Sequence, residues 1–217
     1  MIQHFHDMTV ELIHATPYPA EVTAQAISIT MSTDPENIPP VLTSKKCMFL
    51  LDAEHTSVFE HVNFTFLVQG VSRALHAQVH EHRIASHTSG SQHYQTYSAY
   101  PGSVPVGFPD IGITSILDSK EVYEDLLNMG VPKANARQVL PMAMAVNFMW
   151  TINARSLMGF LRQRLCKRNV DEMLIFSNRV LNISVLHFPE LFNNAGPQCF
   201  MDGTCKQGKF SCGKPWK

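Results

Sequence analysis

Alternating apolar and polar residues mark the clearest strands along this chain. In residues 61–70, the apolar side chains occupy every second position: Val62, Phe64, Phe66 and Val68. An apolar residue at every second position is typical of a strand with one buried face. Residues 8–16 and 146–153 alternate in the same way over shorter runs. The pattern therefore predicts strands in all three segments.

Helical spacing, with apolar residues three or four positions apart, is found in much of the remaining chain. The segments that show it are 20–30, 43–55, 71–83, 118–130, 131–145, 153–169 and 170–192. Asp118 or Ser119 is predicted to cap one helix, and Gly130 to end it. Asn153 is placed to cap the helix at 153–169. The last helix is predicted to break before Pro189, because proline cannot continue a helix.

Proline and glycine interrupt the regular patterns in two places. Residues 33–41 contain three prolines and are predicted to be a cluster of turns. Residues 100–118 contain three prolines and three glycines, which predicts a long loop that is a mobile or functional insert. The tail, residues 193–217, is predicted to be Gly- and Cys-rich coil. Strands and helices mixed in this way indicate an α+β fold in a single domain, residues 1–217.

Composition narrows the class of protein further. The chain has 217 residues, 45% of them hydrophobic, and a formal net charge of −1. So small a net charge gives no electrostatic footprint for binding nucleic acid. No signal-peptide pattern and no run of ~20 apolar residues is visible. We therefore expect no nucleic-acid partner, no membrane association and a cytoplasmic location, with the five cysteines free or metal-bound rather than paired in disulfides.

The stretch 80–98, HEHRIASHTSGSQHYQTYS, is rich in histidine for so polar a segment. His76 and His80 lie one helical turn apart, and three further histidines follow within 82–93. Zinc and iron sites use such clusters. However, no HExxH motif and no carboxylate at a recognised spacing accompanies them. Solvated histidines with local hydrogen bonds are the favoured interpretation, and no metal is predicted.

The tail carries three cysteines, Cys199, Cys205 and Cys212, separated by glycine-containing segments. Three thiols can bind zinc when a fourth ligand comes from elsewhere in the chain. Because no CxxC motif is present, this signal is weak. A structural tail with reduced thiols is the favoured interpretation.

Two groups of polar residues have the chemistry of an anion-binding site. After Arg83, hydroxyl groups and a glycine follow closely, at Ser86, Thr88, Ser89, Gly90 and Ser91. Further along, segments with apolar faces carry arginines at Arg137, Arg155, Arg162 and Arg164. Guanidinium groups, hydroxyls and backbone amides together favour phosphate binding. The alternatives are ordinary loop chemistry for the first group and surface carboxylate partners for the second.

Taken together, these motifs resemble those of the flavin-dependent thymidylate synthases. The family's Arg-His-Arg signature, followed by a serine, is similar to Glu81-His82-Arg83 with Ser91 downstream. Residues 55–61, HTSVFEH, are similar to the family's His-Glu-Thr-Pro-Phe-Glu-His segment. The stretches RQVLP and WTINARSLMGFLRQR follow in the family's order, and the tail is also similar. The resemblance covers the chain from about residue 50 onwards.

The resemblance implies an enzyme that methylates C5 of a pyrimidine deoxynucleotide. The reaction that it favours is the conversion of dUMP to dTMP. FAD is implied as the cofactor, with methylenetetrahydrofolate and NADPH as co-substrates. The implied fold is a mainly antiparallel sheet flanked by helices. The implied assembly is a homotetramer with active sites shared between subunits. No enzyme thiol is implied as nucleophile, which agrees with the absence of a reactive-cysteine motif in this sequence.

The resemblance also assigns residues to the site. The positions that match flavin contacts in the family are His55, Ser57, His82, Arg83, Ser86, Asn153 and Arg155. The positions that match nucleotide contacts are Gln78, Ser89, Ser91, His93, Arg137 and Arg164. Of these, Arg164 and Ser91 are implied to be catalytic.

Several substitutions depart from the family's pattern near the ligands. Glu81 and His93 stand where the family has arginine, and Ser89 stands where it has glutamate. Gly159 and Gln163 replace an asparagine and a leucine. Losing a charge-assisted contact typically costs ~1.5–3 kcal/mol.

Three hypotheses about the function follow from these departures. One is a thymidylate synthase, another is an enzyme that methylates or hydroxymethylates a different pyrimidine nucleotide such as dCMP or UMP, and the third is a non-catalytic flavin- or nucleotide-binding protein.

Overall fold

The structure is a computed structural model that describes residues 1–31, 42–214 and 216. Its strands are β1 (Ile2–His4), β2 (Thr9–Ala15), β3 (Asn63–Ser72), β4 (Ala85–Ser89), β5 (Gly102–Val104) and β6 (Ala145–Asn153). Its helices are α1 (Pro19–Met31), α2 (Ser44–Asp52), α3 (Arg73–His80), α4 (Asp110–Asn128), α5 (Lys133–Ala136), α6 (Ala154–Arg164), α7 (Asp171–His187), α8 (Pro189–Phe192) and α9 (Gln198–Met201). The turn cluster predicted at 33–41 lies outside the described residues.

Four strands form a sheet in the order β2-β3-β6-β4, and β1 and β5 form a separate parallel pair. The hydroxyls of Thr65 and Thr151 lie 3.0 Å apart, and the amide of Gly70 donates to Oδ1 of Asn147 at 2.9 Å. Since one residue number rises as the other falls, β3 and β6 are antiparallel. The contacts between β2 and β3 show the same opposite numbering, so these two strands are also antiparallel. The predicted α+β class with an antiparallel sheet is confirmed.

The three strands predicted from alternation are confirmed as β2, β3 and β6. In β3, the side chains of Phe64, Phe66 and Val68 are all buried, which is the face that the sequence pattern indicated. The short strands β1, β4 and β5 carry no such pattern and were not predicted.

The prediction of a long loop at 100–118 is wrong, because this segment contains β5 and the first nine residues of α4. Neither Asp118 nor Ser119 caps this helix, since it begins at Asp110 after Pro109. Burial of Ile116 and Tyr123 on one face stabilises the helix. Packing of this face outweighs the low helix propensity of the glycine and β-branched residues in the first turns.

Most other helix boundaries are close to those predicted. Oδ1 of Asn153 accepts a hydrogen bond from the amide of Ser156 at 2.8 Å, so the predicted cap of α6 is confirmed. Gly130 follows α4 with φ +84°, and α7 ends at His187, before the proline. The helix expected within 131–145 is only the single turn α5, and the tail expected to be coil contains α9. None of the described helices is both long and apolar enough to cross a membrane.

The chain divides into two compact units. Unit 1 comprises Met1–Glu11, Leu67–Arg83 and His87–Trp150, and unit 2 comprises Leu12–Phe66, Ile84–Ser86 and Thr151–Lys217. That all 217 residues form a single domain stays a prediction.

Each unit has a core of its own. In unit 1, a buried cluster brings together Tyr97, Tyr123, Ala136 and Met144. In unit 2, phenylalanine rings meet in pairs at centroid distances of 5.6–6.5 Å: Phe59 with Phe188, Phe64 with Phe192, and Phe160 with Phe176. Aromatic pairs at such distances add to the stabilisation that burial provides. These cores hold the loops and helix ends described below.

Gly70 in β3 should not tolerate a side chain. Its φ is +73°, and a Cβ would lie 2.7 Å from Nε2 of Gln3, which donates to the Gly70 carbonyl. We expect Gly70→Ala to lower the free energy of unfolding by about 1–3 kcal/mol in urea titrations. The matched control is Gly159→Ala in α6, where a Cβ meets nothing within 4 Å. That change should stabilise the fold by up to about 1 kcal/mol, and equal stability of the two variants would contradict the account.

Candidate active site

In unit 2, two segments predicted to contact flavin pack against each other. The short 3₁₀ helix Ser57–His61 packs on α6, and the carbonyl of Val62 accepts from the amide of Ala154 at 2.7 Å. This bond places the Ser57–His61 helix beside the first turn of α6, which carries Asn153 and Arg155. The structure therefore brings together two segments that are almost 100 residues apart in sequence.

Arg155 pairs with Glu60, a residue that the assignment of site residues missed. Both side chains are about half exposed, at 50% and 43%. An exposed ion pair contributes about 1 kcal/mol or less, so the guanidinium can exchange Glu60 for an anionic ligand at low cost. Glu60 is part of the HTSVFEH motif, and this position in the motif was the signal that could have identified it.

Asn153 has a structural role as well as the predicted ligand contact. Its Oδ1 is occupied by the amide of Ser156, so a hydrogen bond to a ligand would come from the side-chain NH₂ group. His55 follows α2, where its amide donates to the carbonyl of Leu50 at 2.9 Å. The side chains of His55 and Ser57 are exposed, which leaves them accessible to a ligand.

The signature Glu81-His82-Arg83 lies immediately after α3. Glu81 is the C-terminal cap of this helix, and the amide of His82 donates to the carbonyl of Val79 at 3.1 Å. Arg83 is exposed, and the following apolar residue, Ile84, is 71% exposed. Ser86 is exposed in β4, next to β6 in the sheet. In unit 2, the exposed apolar side chain of Ile84 and the exposed hydroxyl of Ser86 suit a ligand that has a planar ring and hydrogen-bonding groups.

In unit 1, two of the residues predicted to bind the nucleotide, Ser91 and His93, lie on a tight turn after β4, and Ser89 is the last residue of that strand. The amide of Gly90 donates to the carbonyl of Asn147 at 3.0 Å, which attaches the start of the turn to β6. Oγ of Ser91 accepts from the amide of His93 at 3.2 Å. Its hydroxyl proton therefore remains available to donate to a phosphate oxygen. Both Ser91 and His93 are exposed.

The segment that carries Arg137 is attached to this turn through neighbouring residues. Nζ of Lys133, one turn earlier, donates to the carbonyl of Tyr94 at 3.3 Å. Ala136 packs in the same buried cluster as Tyr97, which anchors the other end of the loop. These two contacts attach the segment that carries Arg137 to the loop that carries Ser91 and His93, whereas Ser89 is the last residue of β4. Gln78 lies within α3 of the same unit.

Arg164 is the last residue of α6 and is half-buried in unit 2, whereas the other predicted nucleotide contacts belong to unit 1. The side-chain amide of Asn169 donates to the carbonyls of Gln163, Arg164 and Cys166 at 2.9–3.1 Å. Asn169 therefore fixes the backbone from which Arg164 projects. It was not identified from the sequence, although an asparagine soon after a helix end is a recognised capping signal.

The histidines that suggested a metal site form a stack of rings in unit 1. The ring centroids of His76 and His80 lie 4.2 Å apart, and those of His80 and His87 lie 4.1 Å apart. Phe148 closes the stack at 4.9 Å from His76. In the described part of the chain, no group of three or more metal-ligating side chains is arranged to hold an ion. With its rings stacked and His76 buried, this group differs from the solvated histidines that the sequence favoured.

Burial of His76 makes the stability of the fold depend on pH. His76 is 7% exposed, and desolvation, followed by the charge of His80, lowers its pKa to about 4. The unfolded chain binds a proton near the ordinary value of about 6.5, so this stabilisation is complete above that pH. It is lost progressively as the pH falls towards about 4.

We expect the melting temperature of the wild type to fall by roughly 3–6 °C more than that of His76→Leu between about pH 7.5 and pH 5. The physical reason is that leucine fills the site without binding a proton. Thermal melts followed by circular dichroism provide the measurement. The control, His14→Gln, changes an exposed histidine and should leave the pH dependence of the wild type intact. Parallel curves for wild type and His76→Leu would show that His76 does not titrate with folding.

Comparison with known proteins finds relatives that match most of the chain and share one description. A family model described as "Thymidylate synthase complementing protein" matches residues 11–190. The flavin-dependent thymidylate synthase of Clostridium tetani is 32% identical over 235 aligned positions, covering 94% of this chain and 93% of the relative. That of Geobacter sulfurreducens is 32% identical over 220 positions, covering 95% and 94%.

A solved structure shares the fold. The crystal structure of a UMP/dUMP methylase, PolB from Streptomyces cacaoi, bound with 5-Br dUMP, superimposes with a TM-score of 0.78. The match covers 88% of this chain and 96% of that chain, at 22% sequence identity. This likeness supports the α+β architecture described above.

Proposed function

The chain belongs to the family of flavin-dependent thymidylate synthases, and on that premise we propose that it methylates C5 of a pyrimidine nucleotide, with dUMP as the favoured substrate. The observation that carries the proposal is the turn after β4, held against the segment of Arg137. The turn carries the exposed hydroxyl of Ser91 and the exposed imidazole of His93, and the attached segment carries the guanidinium of Arg137. Such donors suit the phosphate of a mononucleotide.

The residues of unit 1 would bind and orient this nucleotide. Arg137 would pair with the phosphate, and Ser91 would donate its hydroxyl proton to a phosphate oxygen. Because Ser91 is already fixed by the amide of His93, its hydroxyl loses little further freedom on binding. Gln78, Ser89 and His93 would complete the nucleotide site.

Arg164 would act on the pyrimidine ring. C5 becomes a nucleophile when negative charge develops on the ring, and a guanidinium beside the ring oxygens stabilises that charge. Asn169 would act as a positioning residue, since its amide fixes the backbone of Arg164. We also propose that the enzyme is a homotetramer with shared active sites, so that Arg164 need not serve the nucleotide bound to its own chain.

The donor set fits FAD in chemical terms. His55, Ser57 and Arg155 of unit 2 provide exposed donors, and the exposed Ile84 provides apolar surface for a planar ring. The other positions that match the family's flavin contacts are Ser86 and Asn153 of unit 2, and His82 and Arg83 of unit 1. The chemistry that FAD supplies when bound is hydride transfer, with methylenetetrahydrofolate as the carbon source and NADPH as the reductant. Glu81, which precedes His82 and stands where the family has arginine, carries a negative charge that disfavours a phosphate-bearing ligand.

A second candidate function is action on a different pyrimidine nucleotide, such as dCMP or UMP, or formation of a 5-hydroxymethyl product. Two observations favour it. Ser89 and His93 both depart from the family's pattern, and they lie at the end of β4 and on the turn that follows it, where we propose that the nucleotide binds. In addition, the solved relative from Streptomyces cacaoi is a UMP/dUMP methylase, so this fold accepts more than one nucleotide.

Release of tritium from C5-labelled nucleotides tests the proposed function. Protein reconstituted with FAD, methylenetetrahydrofolate and NADPH should release tritium from dUMP faster than from dCMP or UMP. Faster release from dCMP or UMP would favour the second candidate. No release from any nucleotide, by protein that has taken up FAD, would overturn both.

A further inference from the structure

The tail of unit 2 encloses a pocket of about 610 Å³ that collects most of the chain's thiols. Four of the five cysteines line it: Cys166, Cys199, Cys205 and Cys212. Their arrangement does not amount to a metal site among the described residues. The proposed nucleotide chemistry does not use them. The pocket therefore needs a separate explanation.

The pocket is cationic. Arg162, Lys167, Arg168 and Lys206 line it, and no carboxylate does so in the described part of the chain. Asp202, just behind it, pairs with Arg162 at 2.6 Å and with Lys206 at 2.7 Å. Lys167 and Arg168 instead contact neutral groups, the carbonyl of Lys214 and Oε1 of Gln207. A surplus of positive charge thus faces the thiols, and it attracts small anions.

Within the pocket, Cys205 has the surroundings of a reactive thiol. It is half-buried, and a hydrogen bond from the Ser211 hydroxyl, the backbone at Gln207 and the charge of Arg168 lower its pKa. The thiolate, not the thiol, is the nucleophile in exchange with disulfides. The Arg168 guanidinium is held in place by Gln207 at 3.1 Å and lies 5.4 Å from the ring of Phe210.

We propose that Cys205 is a modification site at which the cationic pocket binds a small anionic disulfide and exchanges with it. The Cys205 sulfur attacks one sulfur of the bound disulfide R–S–S–R. A new S–S bond joins Cys205 to RS, the original S–S bond breaks, and RS⁻ leaves and takes a proton from water. The disulfide is the oxidant: its leaving sulfur is reduced to the thiol level, the Cys205 sulfur is oxidised to the disulfide level, and the proton of the Cys205 thiol is released to solvent.

The experiment compares two chromogenic probes on the reduced, full-length protein. Dithiobis(nitrobenzoate) carries two negative charges, whereas dithiodipyridine is neutral. We expect a fast phase with the anionic probe, peptide mapping that places the adduct on Cys205, and loss of that phase in Cys205→Ser. Arg168→Gln should slow the anionic probe by at least about tenfold and the neutral probe much less, because only the anion is attracted by the pocket.

Cys212→Ser is the matched control, since Cys212 lines the same pocket and is more exposed. It should retain the fast phase, and added salt should slow the anionic probe in both wild type and control. Thermal melts verify that the variants fold. Persistence of the fast phase in Cys205→Ser would overturn the proposal. So would equal slowing of both probes by Arg168→Gln, because the charge of the pocket would then have no role in recognition.

Discussion

Arg164→Ala is expected to weaken binding of dUMP by roughly 100-fold, because it removes the charge that would stabilise a partly buried anionic ligand. The side chain projects from the end of α6, where Asn169 secures the backbone carbonyls. Arg164→Lys keeps the charge but loses the two-pronged geometry, so it should recover only part of the affinity. Calorimetric titration of FAD-loaded protein with dUMP measures the effect.

Arg162→Ala provides the matched control for this prediction. Arg162 lies on the same helix, but it pairs with Asp202 at 2.6 Å and is not assigned to the nucleotide site. The control should bind dUMP as the wild type does. Wild-type affinity in Arg164→Ala would show that the nucleotide does not contact Arg164.

Glu81→Arg is expected to raise the affinity for FAD by about tenfold or more, since it replaces a repulsive charge with a charge-assisted donor. Glu81 is exposed at the end of α3, directly before His82 and Arg83. Titration of FAD fluorescence at low and high salt measures both the gain and its electrostatic origin, because salt should reduce the gain.

Glu121→Arg is the control for the change in net charge. Glu121 is exposed on α4 and has no assigned ligand, so its replacement alters the overall charge equally without touching the flavin site. It should leave FAD affinity unchanged. If Glu81→Arg binds FAD no better than the wild type, Glu81 does not face the phosphates of the flavin.

Local signals predicted much of the fold. The alternation in β3 and the cap at Asn153 were both visible in the sequence, because each depends on residues close together in the chain. The start of α4 was missed because Pro109 and Gly112 resemble loop residues, while the packing that stabilises this helix comes from other elements. The parallel pair β1–β5 joins residues about 100 positions apart, which periodicity does not detect.

In the candidate site too, local motifs were visible in the sequence, whereas contacts between distant residues were not. The family's motifs identified the turn at Ser91 and the Ser57–His61 helix as candidate binding segments. The pairing of Arg155 with Glu60 and the stacking of His76, His80 and His87 depend on the folded chain. The sequence favoured solvated histidines here, whereas in the folded chain the rings of His76, His80 and His87 stack and His76 is buried.

Product analysis tests the central claim most directly. Protein with bound FAD, supplied with methylenetetrahydrofolate, NADPH and dUMP, should yield dTMP, identified by mass spectrometry, and Arg164→Ala under the same conditions should yield far less. A 5-hydroxymethyl product, or turnover of dCMP or UMP instead, would assign the second candidate function. If protein with FAD and nucleotide both bound leaves all three nucleotides unchanged, the proposed methylation is wrong.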